Sequence, residues 1–270
     1  MPRWIWTLCL GLLALPALAQ APLFPAPASD DTATAPTQLR RAAPPPANAS
    51  AQELESQGDQ LRAEKAYADA LDYYRAALSK NETATLHNKS GIAQLMMLHY
   101  DKAKKEFERA IKRDPMYAEA YNNLGVVNYS QHDYKRAVRR YQKALELRET
   151  SSSFHSNLGT AYFARKEYDK ASAEYLRALE LDPDIFERQS AAGVSARLPS
   201  PGERARFSYV IAKMYAKSGN ADRCLLYLKR AMEAGYVGIS DVYKDEEFSQ
   251  VRKDPRFTEL MASKPVAVPN

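Results

Sequence analysis

A repeat, more than any single residue, limits what this chain can fold into. Gly58, Gly91, Gly125 and Gly159 are spaced 33, 34 and 34 residues apart, and Ala212 takes the same place in a later unit. Twelve residues after each stand Ala70, Ala103, Ala137, Ala171 and Cys224. Four further on come Tyr74, Phe107, Tyr141, Tyr175 and Leu228, and three beyond those Ala77, Ala110, Ala144, Ala178 and Ala231. A fixed period of this length is the mark of stacked supersecondary units, each too small to bury its own apolar face. Within a unit the small and large apolar residues recur at helical spacings, so each unit is read as two helices of about 14 residues joined by a short turn such as "SQHD" or "ARKE". Small residues belong where two helix axes come close, and the aromatics fill the space toward the next pair.

The units "YNNLGVVNYSQHDYKRAVRRYQKALEL" and "FHSNLGTAYFARKEYDKASAEYLRALELDP" resemble tetratricopeptide repeats. The resemblance implies an all-α fold, a right-handed superhelical solenoid of helical hairpins, with repeats at 51–83, 84–117, 118–151, 152–185 and 205–238. Pro115 and Pro183 close two units, and Glu149 takes the equivalent place between them. His87 and His155 stand where the pattern has a large apolar residue early in the first helix, and the last unit lacks the closing proline. Between the fourth and fifth units, 186–204 reads as an insertion loop, with Pro199, Pro201 and Gly202 as breakers. The stretch 239–264 resembles a tail that follows many such arrays. Phe248, Val251, Phe257 and Leu260 are expected to cap the last hairpin.

Ahead of the repeats, "MPRWIWTLCLGLLALPALAQ" has an early arginine, an apolar run from Trp4 to Leu15, and Ala17 and Ala19 before a cut at Gln20. These are the parts of a secretory signal peptide over 1–19. The run is shorter than the ~20 residues that span a bilayer and is broken by Pro16. An exported protein, periplasmic or secreted, with no membrane span after cleavage, is expected. Residues 20–50 hold seven prolines and no helical or strand periodicity, which reads as a flexible tether. Past the leader only Cys224 remains, so no internal disulfide is expected and packing must hold the core.

The function classes narrow by what is missing. A net charge of +5 is mild, and nucleic acid is a poor match. His87, His99, His132 and His155 lie in different repeats without the spacing of metal ligands. There is no glycine-rich phosphate loop and no nucleophile elbow. Neither an enzyme nor a cofactor is expected.

Two surfaces remain. In tetratricopeptide arrays the first helices line a concave peptide groove. In this chain that face includes Asn88, Lys89, Ile92, Leu95 and Met96, then Asn122, Asn123, Val126, Tyr129 and Ser130, then Ser156, Asn157, Thr160 and Phe163. An asparagine amide donates and accepts at once, matching a peptide unit, while Leu95, Tyr129 and Phe163 are expected to take side chains. Asn123 and Asn157 each precede Leu-Gly and resemble two rungs of the asparagine ladder in the O-linked N-acetylglucosamine transferase repeats, which holds ligand backbone. Ser56, Lys89 and Val210 interrupt it elsewhere. The carboxylate clamp of chaperone-binding arrays is matched only at Asn123.

The second surface is basic. Lys135, Arg136, Arg139, Arg140 and Lys143 run along one stripe of a second helix, and Lys102, Lys105, Arg109, Lys112 and Arg113 repeat it one unit earlier. The resemblance places these on the convex outside, where they form a solvated face or meet an anionic partner. Three roles follow as expectations. The first is a scaffold holding an extended peptide of a partner protein in the groove. The second is a structural subunit of a cell-envelope or secretion assembly, and the third an accessory module of a separately encoded enzyme.

Overall fold

Hairpin by hairpin, the chain builds the expected stack. The computed structural model describes residues 42–186 and 200–263; the leader, the tether up to residue 41 and most of the insertion lie outside them. Among the described residues ten helices pair consecutively: α1 Ala51–Ala63 with α2 Tyr67–Lys80, α3 Ala84–Met96 with α4 Tyr100–Arg113, α5 Ala118–Ser130 with α6 Tyr134–Leu147, α7 Ser152–Ala164 with α8 Tyr168–Leu181, and α9 Pro201–Lys217 with α10 Ala221–Glu233. Each of the first four pairs also packs on the pair beside it. There is no strand among the described residues.

Helix ends are set by local chemistry. Ser50 and Glu53 form a capping box at the head of α1, and Thr83, Asp133 and Asn220 cap α3, α6 and α10 with a side-chain oxygen. The α9 helix starts at Pro201, four residues before the expected start of the fifth repeat. Ser200 and Glu203 make a second capping box, with Pro201 at the first helical position, where its missing N–H costs nothing. Pro201 therefore begins a helix where it was expected to break one.

Every hairpin turns in the same way. Lys65, Leu98, His132 and Lys166 have φ of 61–63°, and Gly219 takes the matching place in the fifth hairpin. At Leu98 the closing bonds run from its own N–H to the Leu95 carbonyl and from the His99 N–H to the Gln94 carbonyl, both 2.9 Å. This is the left-handed cap that ends a helix and aims the chain back along it.

The repeated glycines accept a ring. A Cβ on Gly125 would lie 2.5 Å from the Tyr141 ring, and Gly58, Gly91 and Gly159 stand in the same relation to Tyr74, Phe107 and Tyr175. The aromatic of the second helix thus lies against the glycine of its own hairpin, besides filling space toward the next. Tyr74, Phe107, Tyr141 and Tyr175 are all fully buried. Cys224 is buried as well, and its thiol is pushed up to about 12 by burial, the signature of a packing residue.

Beyond α10 the chain makes three short 3-10 turns and then α11, Pro255–Ser263. Phe248, Val251 and Phe257 are buried in the same core as the last hairpin, with Leu260 packed against it. The Asp245 carboxylate ties this tail down, accepting from the Tyr209 hydroxyl at 2.8 Å and pairing with Lys213 at 3.0 Å.

Candidate functional site

The residues expected to line the groove form a chain of amides. Asn123 Nδ2 donates to Asn88 Oδ1 at 2.9 Å, Asn122 Nδ2 to Asn123 Oδ1 at 3.1 Å, and Asn157 Nδ2 to Asn122 Oδ1 at 2.9 Å. At the near end Asn88 donates to the Tyr117 hydroxyl at 3.4 Å. The line crosses α3, α5 and α7, and all four amides are buried. Expected to face a ligand, these side chains join three hairpins to one another. A neutral amide suits that place, because it satisfies a donor and an acceptor inside the array without burying a charge.

The other expected groove residues are also held from within. Lys89 contacts Glu55 at 2.6 Å, and Asp59 as well. Tyr129 and Phe163 are buried, and their rings lie against Tyr134 and Tyr168 at 5.2 and 5.4 Å between centroids. Leu95 is buried in the same core. The two histidines at apolar positions are pinned by carboxylates. His87 faces Glu106 and Glu82 at 2.7 and 3.0 Å, and His155 faces Glu174 at 2.6 Å and the Glu149 carbonyl at 3.0 Å. No group of His, Cys, Asp or Glu suited to hold a metal ion occurs among the described residues.

An open cleft of about 450 Å³ lies where α7 and α8 meet the fifth hairpin. Phe163, Tyr168, Tyr236 and Val237 give it apolar walls, Lys166 and Arg206 stand at it as cations, and Glu203, engaged by Ser200 in the capping box, stands at it as an anion. Arg206 lies over the Tyr168 ring at 5.0 Å, and Tyr236 stacks on Tyr209 at 4.6 Å. The α9 helix meets the fourth hairpin less closely than the other pairs meet each other. Phe207, wedged between Phe163, Tyr175 and Phe186, bridges the gap and leaves the cleft beside it. Of the cleft's lining residues, Phe163 alone is among those expected from the sequence to take a ligand. A signal was there: Tyr67, Tyr100, Tyr134 and Tyr168 form one more column of the repeat, and Tyr168 is the last of them.

The basic stripe lies on α6. Lys135, Arg136, Arg139 and Lys143 are exposed and Arg140 is half-buried. Arg136 pairs with Asp133 at 3.1 Å and Lys143 with Glu146 at 2.9 Å.

With this geometry in view, the TPR repeat model matches residues 99–132 and 129–165, and the Tetratricopeptide repeat model matches 152–185. The chain is a tetratricopeptide repeat protein. No match was found among curated protein sequences. Among solved structures the array is similar to TTC0263, a thermophilic TPR protein in Thermus thermophilus, at 21% identity and a TM-score of 0.49, covering 79% of this chain and 100% of that one. It is also similar to MamA from Desulfovibrio magneticus RS-1, at 16% identity and a TM-score of 0.48, covering 68% and 94%. A third is YrrB, described as a TPR protein with an unusual peptide-binding site, at 20% identity and a TM-score of 0.46, covering 76% and 92%. No helix among the described residues is long and apolar enough to cross a membrane.

Proposed function

We propose that this tetratricopeptide array is an exported scaffold that lays an extended segment of a partner protein across α3, α5 and α7 and anchors it at the cleft beside the fifth hairpin. The observation that carries the reading is the cleft itself. There, among the described residues, apolar walls and two cations, Lys166 and Arg206, stand open to a ligand, with the Glu203 carboxylate held by Ser200 beside them. An aromatic or aliphatic side chain fits between Phe163, Tyr168 and Tyr236, and an acidic group beside it meets the cations. The amide line has a supporting role. By fixing α3, α5 and α7 against one another it presents a preformed surface, which spares the cost of ordering on binding.

A peptide library displayed on phage tests this with the full-length mature chain. Recovered peptides should carry an apolar side chain next to an acidic one. They should bind at least about tenfold more weakly to a Val237→Glu variant, because a charge placed at the mouth opposes both. Val237 is 94% exposed, so its substitution leaves the fold intact. Peptides that bind wild type and variant alike would remove the cleft from the account. Export is supported by the residue order of 1–19 alone. Intact-mass measurement of protein recovered from outside the cytoplasm should give a chain beginning at Gln20, and a chain retaining Met1 would refute the cleavage.

A further inference from the structure

The second helices of the five hairpins treat their cations differently. On α2, Arg75 pairs with Asp72 at 2.9 Å and Lys80 donates to the Ala47 carbonyl at 2.9 Å. On α8, Lys170 meets Glu167 at 2.7 Å and Arg177 meets Glu180 at 3.0 Å. On α10, Arg223 pairs with Asp184, Lys229 lies 3.8 Å from Glu233, and Arg230 lies over the Tyr227 ring. Every cation on these three helices has a partner. On α4 and α6, six have no carboxylate within reach among the described residues: Lys102, Lys105, Lys112, Lys135, Arg139 and Arg140. The carboxylates on these helices are mostly spent, Glu106 on Arg109 and His87, Glu108 on Lys104, and Glu146 on Lys143.

We infer that the face shared by α4 and α6 is a second interaction surface, distinct from the cleft, that docks an acidic segment of a partner protein. Unpaired cations gather on two adjacent hairpins, whereas each cation of the other second helices is engaged by a carboxylate, a carbonyl or a ring. The patch is short. From Lys102 to Lys112 it spans about 15 Å at 1.5 Å per residue, the reach of an extended segment of about five residues. The arginines Arg139 and Arg140 add a planar fork that suits carboxylates. A lipid surface fits less well, because none of the large apolar side chains left exposed, such as Met96, Leu98 and Met116, lies on α4 or α6, so nothing there enters a bilayer. The surface stands independently of the cleft reading, since no cleft residue belongs to it.

The test uses the full-length mature chain and fluorescence anisotropy of a labelled octaglutamate peptide, with a labelled Gly-Ser peptide as neutral control. Wild type should bind octaglutamate, not the control, and lose affinity steeply between 50 and 300 mM salt. The variant K105E/R139E/R140E should lose about tenfold or more in affinity, like charges now facing the probe. R136Q/K143Q, which removes cations already paired, should stay within about twofold of wild type. If the reversal disturbs the circular dichroism spectrum, the milder K105Q/R139Q takes its place, with a loss of about threefold expected from two lost surface contacts. Equal affinity of wild type and the reversal or neutral variant overturns the proposal. So does tighter binding of phosphatidylserine vesicles or of a 20-base-pair DNA duplex than of octaglutamate, which would assign the face to a membrane or to nucleic acid.

Discussion

One tyrosine sits badly in an otherwise regular column. The second-helix aromatic reaches toward the residue fifteen positions earlier. Tyr74 donates to Asp59 at 2.8 Å and Tyr175 to Thr160 at 3.3 Å, while apolar Phe107 has Ile92 in that place. Tyr141 has Val126 there, and its buried hydroxyl has no partner. An unpartnered buried hydroxyl costs about 1–3 kcal/mol. Tyr141→Phe, which copies the chain's own second repeat, is therefore expected to leave stability unchanged or raise it by about 1 kcal/mol. Tyr175→Phe should lower it by a similar amount, and urea unfolding of both reads the contrast. Gly125→Ala should cost about 1–3 kcal/mol by overpacking Tyr141. At the turns, Leu98 holds a left-handed conformation and is 68% exposed. Leu98→Gly removes strain of about 1–2 kcal/mol, less about 0.5–1 kcal/mol for the freedom glycine loses on folding, so a midpoint shift upward is expected. The glycine and alanine columns were legible in the sequence because one contact is repeated from hairpin to hairpin. The Tyr141 mismatch was not, because it depends on which residue of the facing helix lies opposite the ring's far end.

Among elements, the amide line couples what the repeat pattern alone treats as independent hairpins. Removing Asn123 leaves Asn88 Oδ1 and Asn122 Nδ2 without their partners, at a cost of about 1–3 kcal/mol. Asn123→Ala combined with Asn88→Ala should cost clearly less than the two single changes together, since one interaction is counted twice. Additive costs in chemical denaturation would mean the amides do not act as a unit. The tail is attached by a different chemistry. Burial works against the Asp245 carboxylate, but hydrogen bonds from Tyr209 and Lys213 outweigh it and hold its pKa below the ordinary value. Its contribution is thus present in full above the unfolded carboxylate value of about 3.9 and is lost as pH falls through the lowered folded value. Near-ultraviolet circular dichroism of the Tyr209–Tyr236 stack should show an acid transition below about pH 4 that is absent from Asp245→Asn, which is already weakened at neutral pH. Identical acid profiles would contradict the role of Asp245. Sequence periodicity found Phe248, Val251 and Phe257 as the tail's contacts because they recur at helical spacings. It did not find Asp245, whose partners lie in α9, some thirty residues away.

At the scale of the molecule, stacking is what turns hairpins into a binding surface. Within each of the first four hairpins the ring closes on its own glycine, and the amide line joins the second, third and fourth to one another. The fifth, displaced by an insertion and wedged by Phe207, leaves a cleft. That division explains which part of the site could be read in advance. Asn123 and Asn157 stood out because they repeat, and repetition turned out to report a contact between hairpins. The cleft stands where the repeat is interrupted, and there a periodic pattern is silent. Arg206 belongs to no column, and Tyr236 stands where Pro115, Glu149 and Pro183 close other units, as a residue of a different kind. On the proposed function, a partner segment is taken at this interruption. Hydrogen–deuterium exchange of the full-length mature chain, with and without a peptide selected from the library, tests it most directly. New protection is expected at the end of α7, the first turns of α9 and residues 235–237; protection confined to α1–α4, or none at the cleft with the peptide saturating, would rule out capture there.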